Sequence, residues 1–290
     1  MRIAVHGKEF NRVSAPFIAH IFEILAQFKA QLFVSSKFSQ YLKKPLIKAS
    51  YQTYEPGTDI SHIQLFISIG GDGTLLESIT HIGKSEIPVL GINTGRLGFL
   101  ATISKEETEQ ALKHIFEGAY TLDQRAVLKL ETNKEIFGSL NFALNDLTVV
   151  KKDSSSMITI HTYINGDFLN SYWADGIIIA TPTGSTGYSL SCGGPLIFPR
   201  SGNFVITPVS AHNLTVRPIV VADNCEISIE VEGRSKKFLV SLDSRMASVD
   251  ASIKLKVLKA DFKVQLVQLE SNSYFKTLRQ KLNWGLDVRN

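Results

Sequence analysis

Cysteine is scarce in this chain. Two residues among 290, Cys192 and Cys225, cannot staple a protein of this size or build a four-ligand zinc site. The seven histidines are scattered with no metal-ligand spacing. No apolar run approaches the ~18 residues of a membrane helix. The opening Met1-Arg2-Ile3-Ala4-Val5-His6-Gly7 turns polar too soon for a signal peptide. A strong charge of one sign is also missing: 31 Lys and Arg against 27 Asp and Glu leave +4. The only basic clusters are Lys43-Lys44, Lys151-Lys152 and Arg234 to Lys237, which solvated loops explain. A nucleic-acid binder would carry runs or stripes. These absences predict a reduced, cytoplasmic protein that engages neither nucleic acid nor membrane. Apolar residues are not scarce: 44% hydrophobic and 20% charged is globular composition, which excludes a disordered chain. The length allows one large domain or two ordinary ones.

Up to about residue 118, strands and helices alternate. Residues 3–6, 31–34, 63–69 and 88–92 read as strands, and 63–69 is apolar enough for a buried parallel strand. Residues 15–28 and 74–82 have helical period, as do 104–117, which open on a capping box of Ser104 and Glu107 and stop at Gly118. After Tyr120, period-2 segments take over: 127–132, 139–144, 147–150, 157–164, 168–173, 176–180, 219–222, 226–231, 237–242 and 253–269. Asn165-Gly166 is a hairpin signal between two of them. Residues 272–282 return to helical spacing through Tyr274, Phe275, Leu278 and Leu282. The expected fold is an α/β N-terminal lobe with a Rossmann-like parallel sheet, residues 1–119 with 271–290 returning to it. A β-rich, antiparallel, sandwich-like lobe follows over 120–270.

Four segments carry candidate chemistry. In Ile67-Ser68-Ile69-Gly70-Gly71-Asp72-Gly73-Thr74, a buried strand ends in glycines, an acid and a hydroxyl, and a helix begins. Ligands of open α/β sheets bind beyond the carboxyl ends of strands. Glycines there let phosphate oxygens reach backbone N–H groups, and the helix N-terminus favours anions. Asp72 puts a negative charge beside such an anion, which makes sense for a carboxylate that takes a proton from a hydroxyl nucleophile or holds a metal ion. Asp also caps helices well; the extra glycines and the strand-to-helix setting favour a ligand site over a plain cap. The second segment runs from Asp175-Gly176 through Thr181-Pro182-Thr183-Gly184-Ser185-Thr186-Gly187-Tyr188-Ser189-Leu190-Ser191. Its hydroxyls and glycines suit an oxygen-rich ligand, although the same composition makes ordinary surface loops. Tyr188 and Leu190 argue that it packs against something.

The third segment is Leu144-Asn145-Asp146-Leu147, a polar pair inside a β run that in isolation reads as a turn or bulge. The fourth, Gly91 to Leu100, would lie beside the first if their strands are neighbours. Its Phe99 suits either base stacking or core packing. Smaller features read as structural: Cys192 beside Gly193-Gly194 as a free thiol, His212 as a structural residue, Asp243-Ser244-Arg245 as a turn. There is no Walker-type loop and no defensible Ser-His-Asp arrangement.

In the order in which they occur, these segments resemble the NAD kinase family, which uses ATP or polyphosphate to make NADP. The resemblance runs from about residue 63 to Leu278. Gly-Gly-Asp-Gly-Thr alone also resembles diacylglycerol- and sphingosine-type lipid kinases and 6-phosphofructokinase; the segment through Ser191 is more specific. The resemblance implies NAD between two lobes, a homodimer or homotetramer, and Mg²⁺ held mainly by ATP phosphates, with Asp72 or Glu77 nearby. It implies Asp72 as the general base for the adenosine ribose 2′-hydroxyl, and Gly70, Gly71, Gly73 and Thr74 facing phosphate. Phe99 and Leu100 match the adenine site. Asn145 and Asp146 match a ribose-binding pair, with Asp146 standing where the family commonly has the longer Glu. Asp175 matches an acid on the nicotinamide side. Thr186, Gly187, Tyr188, Ser189, Leu190 and Ser191 match the adenine and ribose turn, with Ser210 nearby. Ser156 and Arg245 fall at variable ligand-facing positions, and Arg245 would reach an NADP phosphate. Trp173 and Gly187 depart from the basic residue and Ala common in relatives. Two other readings remain at this point: a lipid kinase built on the same glycine turn, and a non-catalytic NAD(P) sensor, which need not keep an acid at position 72.

Overall fold

A computed structural model describes residues 1–42, 47–95, 98–152, 156–234, 237–270 and 273–283. Lys43, Lys44, Arg96, Leu97, Ser235, Lys236 and, in the expected returning tail, 271–272 and 284–290 lie outside the described residues. The chain divides into two units, Met1–Gln124 with Val264–Asn290, and Arg125–Lys263.

In the first unit, β1 (Arg2–Gly7), β2 (Gln31–Ser35), β3 (Gln52–Tyr54), β4 (Leu65–Gly70) and β5 (Val89–Asn93) form a parallel sheet in the order 3-2-1-4-5. The direction of winding reverses between β1 and β4, and a doubly wound sheet opens its ligand crevice at the carboxyl ends of the strands at that point. The two strands ending there close on His6-Gly7 and Ile69-Gly70. The helices are α1 (Ala15–Gln27), the single turn α2 (Ser36–Ser39), α3 (Asp72–Ile82) and α4 (Thr108–Phe116). Helical spacing lets α1 bury Ile18, Ile21 and Leu25, and α4 bury Ala111, Leu112 and Ile115, in one core with Ile3, Val5, Ile67 and Leu90 of the sheet. α3 packs on β4 and β1. His6 alternates with Val5 along β1 and meets His81 of α3 ring to ring, so α3 covers the opposite face.

The expected capping box exists: Glu107 N–H donates to Ser104 Oγ at 3.3 Å, and Ser104 N–H donates back to Glu107 Oε2 at 3.1 Å. Residues 105–107 only form a turn, so the regular helix starts at Thr108.

The second unit is antiparallel. Its strands are β6 (Thr121–Thr132, entering from the first unit), β7 (Phe142–Ala143), β8 (Asp146–Lys151), β9 (Ile158–Ile164), β10 (Asp167–Ala174), β11 (Gly176–Ala180), β12 (Asn203–Val209), β13 (Ile219–Ala222), β14 (Ile227–Gly233), β15 (Lys237–Leu242), β16 (Arg245–Asp250) and β17 (Leu255–Gln268). One sheet has the order β13-β12-β11-β8-β15-β16; the other pairs β10 with β9, β9 with β14 and β14 with β17. Inward residues of both sheets, such as Val149, Ile177, Ile206 and Val240 from one and Ile160, Tyr172, Ile229 and Val257 from the other, share one core. That is a β-sandwich. Asn165 and Gly166, at φ 52 and 86, make the two-residue turn expected between β9 and β10. Past the division, Leu266 of β17 pairs with Val89 of β5 inside the first unit. The one-turn α5 (Tyr188–Ser191) lies in the second unit and α6 (Tyr274–Leu282), capped by Ser273 Oγ on Lys276 N–H, in the first.

Three local expectations are corrected. Residues 139–144 do not make a strand: Gly138–Leu140 is a 3₁₀ turn, and only Phe142 and Ala143 pair. β12 is a strand outside the expected set, and it carries Pro208 opposite Ile177 of β11. β13 pairs only with Asn203 to Ile206, so no ladder on that side asks Pro208 for an N–H. β16 was hidden by its polar composition. Among the described residues, no helix is long and apolar enough to cross a membrane.

Candidate active site

The first candidate group lies where β4 hands over to α3. Asp72 is the first residue of the helix, with Gly71 as its N-cap, and its carboxylate does not cap its own helix. It turns to the loop after β5. Phe99 N–H donates to Oδ2 at 2.8 Å, and Leu100 and Ala101 N–H donate to Oδ1 at 3.0 and 2.9 Å. Three charge-assisted bonds fix the carboxylate and leave Oδ2 the less engaged oxygen. Gly98 makes this approach possible: a Cβ there would stand 1.9 Å from Asp72 Oδ1. Parallel pairing of Gly70 with Asn93 brings the two segments together. Asn93 holds the loop by accepting from Gly95 N–H at 2.7 Å and donating to Ala101 O at 3.2 Å. Gly71 and Gly73 have open space where a side chain would begin, so a ligand has access to this turn. Thr74 is buried beneath it. Phe99 is half-buried and Leu100 buried.

The second group lies in the sandwich. Asn145 and Asp146 enter β8 beside the turn between β15 and β16, where Asp243 adopts φ 53. Asp243 read as a mere turn residue; its carboxylate in fact accepts N–H bonds from Leu144 at 3.0 Å, Asn145 at 2.7 Å and Asp146 at 3.3 Å. Asp146 sits near this buried acid with one hydroxyl partner, Thr148 Oγ1 at 3.1 Å. Its carboxyl is pushed up to about 7, chiefly by burial and then by the Asp243 charge. Burial also raises Asp243, opposed by its three N–H donors and by Arg245. Asn145 Oδ1 is buried without a hydrogen-bond partner, an acceptor left unsatisfied.

The hydroxyl-rich segment folds against this pair, and most of its hydroxyls are engaged internally. Thr181 Oγ1 donates to Leu144 O at 2.6 Å and Ser185 Oγ to Pro182 O at 2.7 Å. Thr186 Oγ1 donates to Thr183 O at 3.1 Å, and Ser189 Oγ shares a hydrogen bond with Thr207 Oγ1 at 2.8 Å. Thr183 Oγ1 accepts from the Arg125 guanidinium. The hydroxyls on which the sequence reading leaned therefore build the turn. Gly184 has no room for more: a Cβ would lie 2.1 Å from Asn145 O. Gly187 faces the Asn145 and Asp146 side chains. Tyr188 and Ser191 are exposed and Leu190 partly so. The Tyr188 phenol is pushed up by partial burial and Cys192, with Asp175 and Asp146 adding to it, so these groups share one neighbourhood.

Asp175 is paired with Lys151 Nζ at 2.6 Å; the sequence reading counted that lysine only as loop charge. Ser210 is exposed at φ 48 just past β12. Ser156 and Trp173 line one recess of about 570 Å³ with Met157, Thr159 and Arg234. The half-exposed Trp173 ring packs on His212, centroids 4.4 Å apart. The Arg245 guanidinium lies 3.8 Å from Asp243 Oδ2, donates to the carbonyl oxygens of Leu140 and Phe142, and sits over the Phe142 ring. Glu77 has both oxygens engaged by ammonium groups, Lys37 at 2.7 Å and Lys8 at 3.3 Å.

The first unit thus gathers Asp72, Gly73, Thr74, Phe99 and Leu100, and the second gathers Asn145, Asp146, Gly187 and Tyr188. The residues missed were Asp243, Gly98 and Lys151. Gly98 carried a signal, a glycine directly before the candidate Phe99.

Comparison with known proteins agrees with these motifs. Residues 14–120 match the family model described as ATP-NAD kinase N-terminal domain, and 144–269 match ATP-NAD kinase C-terminal domain. The chain is 53% identical over 292 positions to an NAD kinase of Cytophaga hutchinsonii and 47% over 294 to one of Flavobacterium psychrophilum, with all of each chain covered. In fold it is similar to a yeast NADH kinase complexed with NADH (TM-score 0.88, 23% identity, 100% of this chain and 89% of that one). It is also similar to an Archaeoglobus fulgidus NAD kinase in complex with ATP (TM-score 0.77, 24% identity, 98% and 99%). Neither the lipid-kinase nor the sensor reading finds support among them.

Proposed function

The chain belongs to the NAD kinase family, and from that premise we propose that it transfers a phosphoryl group from ATP or polyphosphate to the 2′-hydroxyl of the adenosine ribose of NAD, giving NADP. The observation that carries the reading is the Asp72 carboxylate, pinned by three N–H groups at the mouth of a glycine turn. A ribose hydroxyl is a poor nucleophile at neutral pH, and a fixed carboxylate within reach helps by taking its proton. Oδ2, with one N–H donor against two on Oδ1, is the atom assigned to receive it. The open turn at Gly71 and Gly73 and the N-terminus of α3 are assigned to the donor's phosphates, with Gly70 and Thr74 shaping the turn.

Asn145 and Asp146 are assigned to hold a ribose through its hydroxyls, supported by the unpartnered Asn145 Oδ1. Phe99 and Leu100 are assigned to adenine, and Thr186, Gly187, Tyr188, Ser189, Leu190 and Ser191 to the adenine- and ribose-binding turn. Asp175, Ser156 and Ser210 complete the NAD contacts of the reading. Arg245, which donates to carbonyl oxygens here, is assigned to an NADP phosphate. The domain assignment of this proposal is an α/β lobe, residues 1–119 with 271–290, that carries the phosphate turn, and a β-rich NAD-binding lobe, residues 120–270. Cytoplasmic location and a homodimer or homotetramer complete the proposal.

A divalent cation, Mg²⁺ in this reading, would neutralise charge on the transferred phosphoryl group. The carboxylates near the turn do not fit a cage for it. Asp72 is engaged by N–H groups, and Glu77 is surrounded by nitrogen groups, Lys8, Lys37 and the His6 ring, whereas Mg²⁺ takes oxygen ligands. The cation is therefore assigned to the donor's own phosphates, and no step is derived through it.

The test is NADP formation from NAD, ATP and Mg²⁺ by the purified protein, with polyphosphate and NADH in parallel arms. Asp72→Asn is expected to bind NAD and lose about 10²- to 10⁴-fold in turnover. Folded wild-type protein that makes no NADP from either donor overturns the proposal.

A further inference from the structure

On the face of the first sheet covered by α3, three residues form a group that phosphoryl transfer does not use. His6 is fully buried near the carboxyl end of β1, and Glu77 and His81 stand one helical turn apart on α3. One donor atom from each lies within 4.8 Å of the other two. We propose that His6, Glu77 and His81 form a binding site for a divalent transition-metal ion of the zinc class.

Three observations converge on this. First, His6 Nε2 is buried with no hydrogen-bond partner and lies 3.7 Å from Glu77 Oε1. A desolvated ring nitrogen aimed at a carboxylate is unfavourable unless something fills the gap. Second, each imidazole is already oriented from its Nδ1, as metal-bound histidines are. His6 Nδ1 is 2.7 Å from Ser35 Oγ, and His81 Nδ1 is 3.1 Å from Tyr54 Oη. Third, two imidazoles and a carboxylate suit zinc, cobalt or nickel, whereas magnesium and calcium take oxygen ligands.

The charges that face the site are the ammonium groups of Lys37 on Glu77 Oε1 and of Lys8 on Oε2. Both lysines are about half exposed and can swing into solvent. A metal ion taking Oε1 has to displace Lys37 and can leave Lys8 in place. The ion would tie β1 to α3, the helix whose first residue is Asp72.

The test is titration of chelator-treated protein with Co²⁺ and Zn²⁺, read by visible absorption and calorimetry. The expected result is one ion per chain, with the d–d bands of a low-coordinate Co²⁺. Glu77→Gln and His81→Ala should each weaken binding by at least about 100-fold, and Tyr54→Phe by about 10-fold or more. Lys37→Ala should tighten binding about two- to fivefold, because it removes the competing ammonium. His20→Ala, at a surface histidine beside Glu23 and Glu109, should change nothing. Failure of the wild type to bind one ion, binding that survives Glu77→Gln, or binding lost in His20→Ala overturns the proposal. Lys37 is on the surface, so a Lys37→Ala protein that binds no more tightly than wild type does so as well, even if His81→Ala fails to fold.

Discussion

The Asp146–Asp243 pair makes the stability of the unliganded protein fall as pH rises, and the size of that fall can be worked out. Asp243 has three N–H donors and Arg245 3.8 Å away, so it is the better placed of the two to carry charge. Asp146 has one hydroxyl, and its carboxyl stands at about 7 against an ordinary value of 3.8. In the unfolded chain this carboxyl loses its proton near 4, while the folded protein keeps it. Between those values the unfolded state binds fewer protons, so stability declines with pH, and the decline ends above about 7 where both states are ionised. The full shift is about 3 units, a ceiling of roughly 4 kcal/mol. Between about pH 5.5 and 8.5 the loss comes to roughly 2 kcal/mol.

Asp146→Asn keeps the shape and removes the ionisation. Its stability relative to wild type should therefore rise by about 2 kcal/mol from pH 5.5 to 8.5, or about 3 °C in relative melting temperature for a chain of this size. Scanning calorimetry of both proteins without nucleotide, at both pH values, measures it. A difference between the two proteins that stays constant with pH, or moves in favour of wild type at high pH, refutes the argument that Asp146 is the strained acid. NAD affinity gives a second reading. An ionised Asp146 accepts ribose hydroxyls better, so wild-type binding should tighten through pH 7 while the Asn variant stays flat.

Gly98→Ala should abolish most turnover while NAD still binds, because its Cβ would occupy the Asp72 Oδ1 position; steady-state kinetics beside calorimetric binding separates the two. Gly184→Ala, whose Cβ would stand 2.1 Å from Asn145 O, should lower the melting temperature and weaken NAD binding together. Asp243→Asn leaves buried N–H groups short of an acceptor and should cost about 1–3 kcal/mol by thermal melting. By removing the neighbouring charge, it should also flatten the pH dependence just described.

What was legible in the sequence was whatever depends on neighbours along the chain. The glycine turn announced itself through the strand before it and the helix after it. The Asn165-Gly166 hairpin and the Ser104/Glu107 box are local chemistry, and each formed its expected bonds. What escaped depends on partners far away. The acceptor role of Asp72 requires N–H groups at 99–101, and that of Asp243 requires those at 144–146, which lie in separate strands or loops until the sheets assemble. Composition could count the hydroxyls of 181–191 without telling that Ser189 would face Thr207 rather than a ligand.

Asp72 and Asp243 turn out to be one device used twice, a carboxylate that gathers three consecutive N–H groups and pins a loop. Burial separates their consequences. The Asp243 side chain is 5% exposed, so its charge is confined with Asp146 and raises that neighbour's proton affinity. Asp72 is only partly buried at the open end of a glycine turn, with Oδ2 holding a single donor. The same hydrogen bonds that make Asp243 a structural post leave Asp72 oriented with capacity to spare. An oriented acceptor beside an open anion turn is what proton removal from a hydroxyl nucleophile requires. Substitution should tell the two apart: loss of the carboxylate at 243 registers first in folding and at 72 first in turnover.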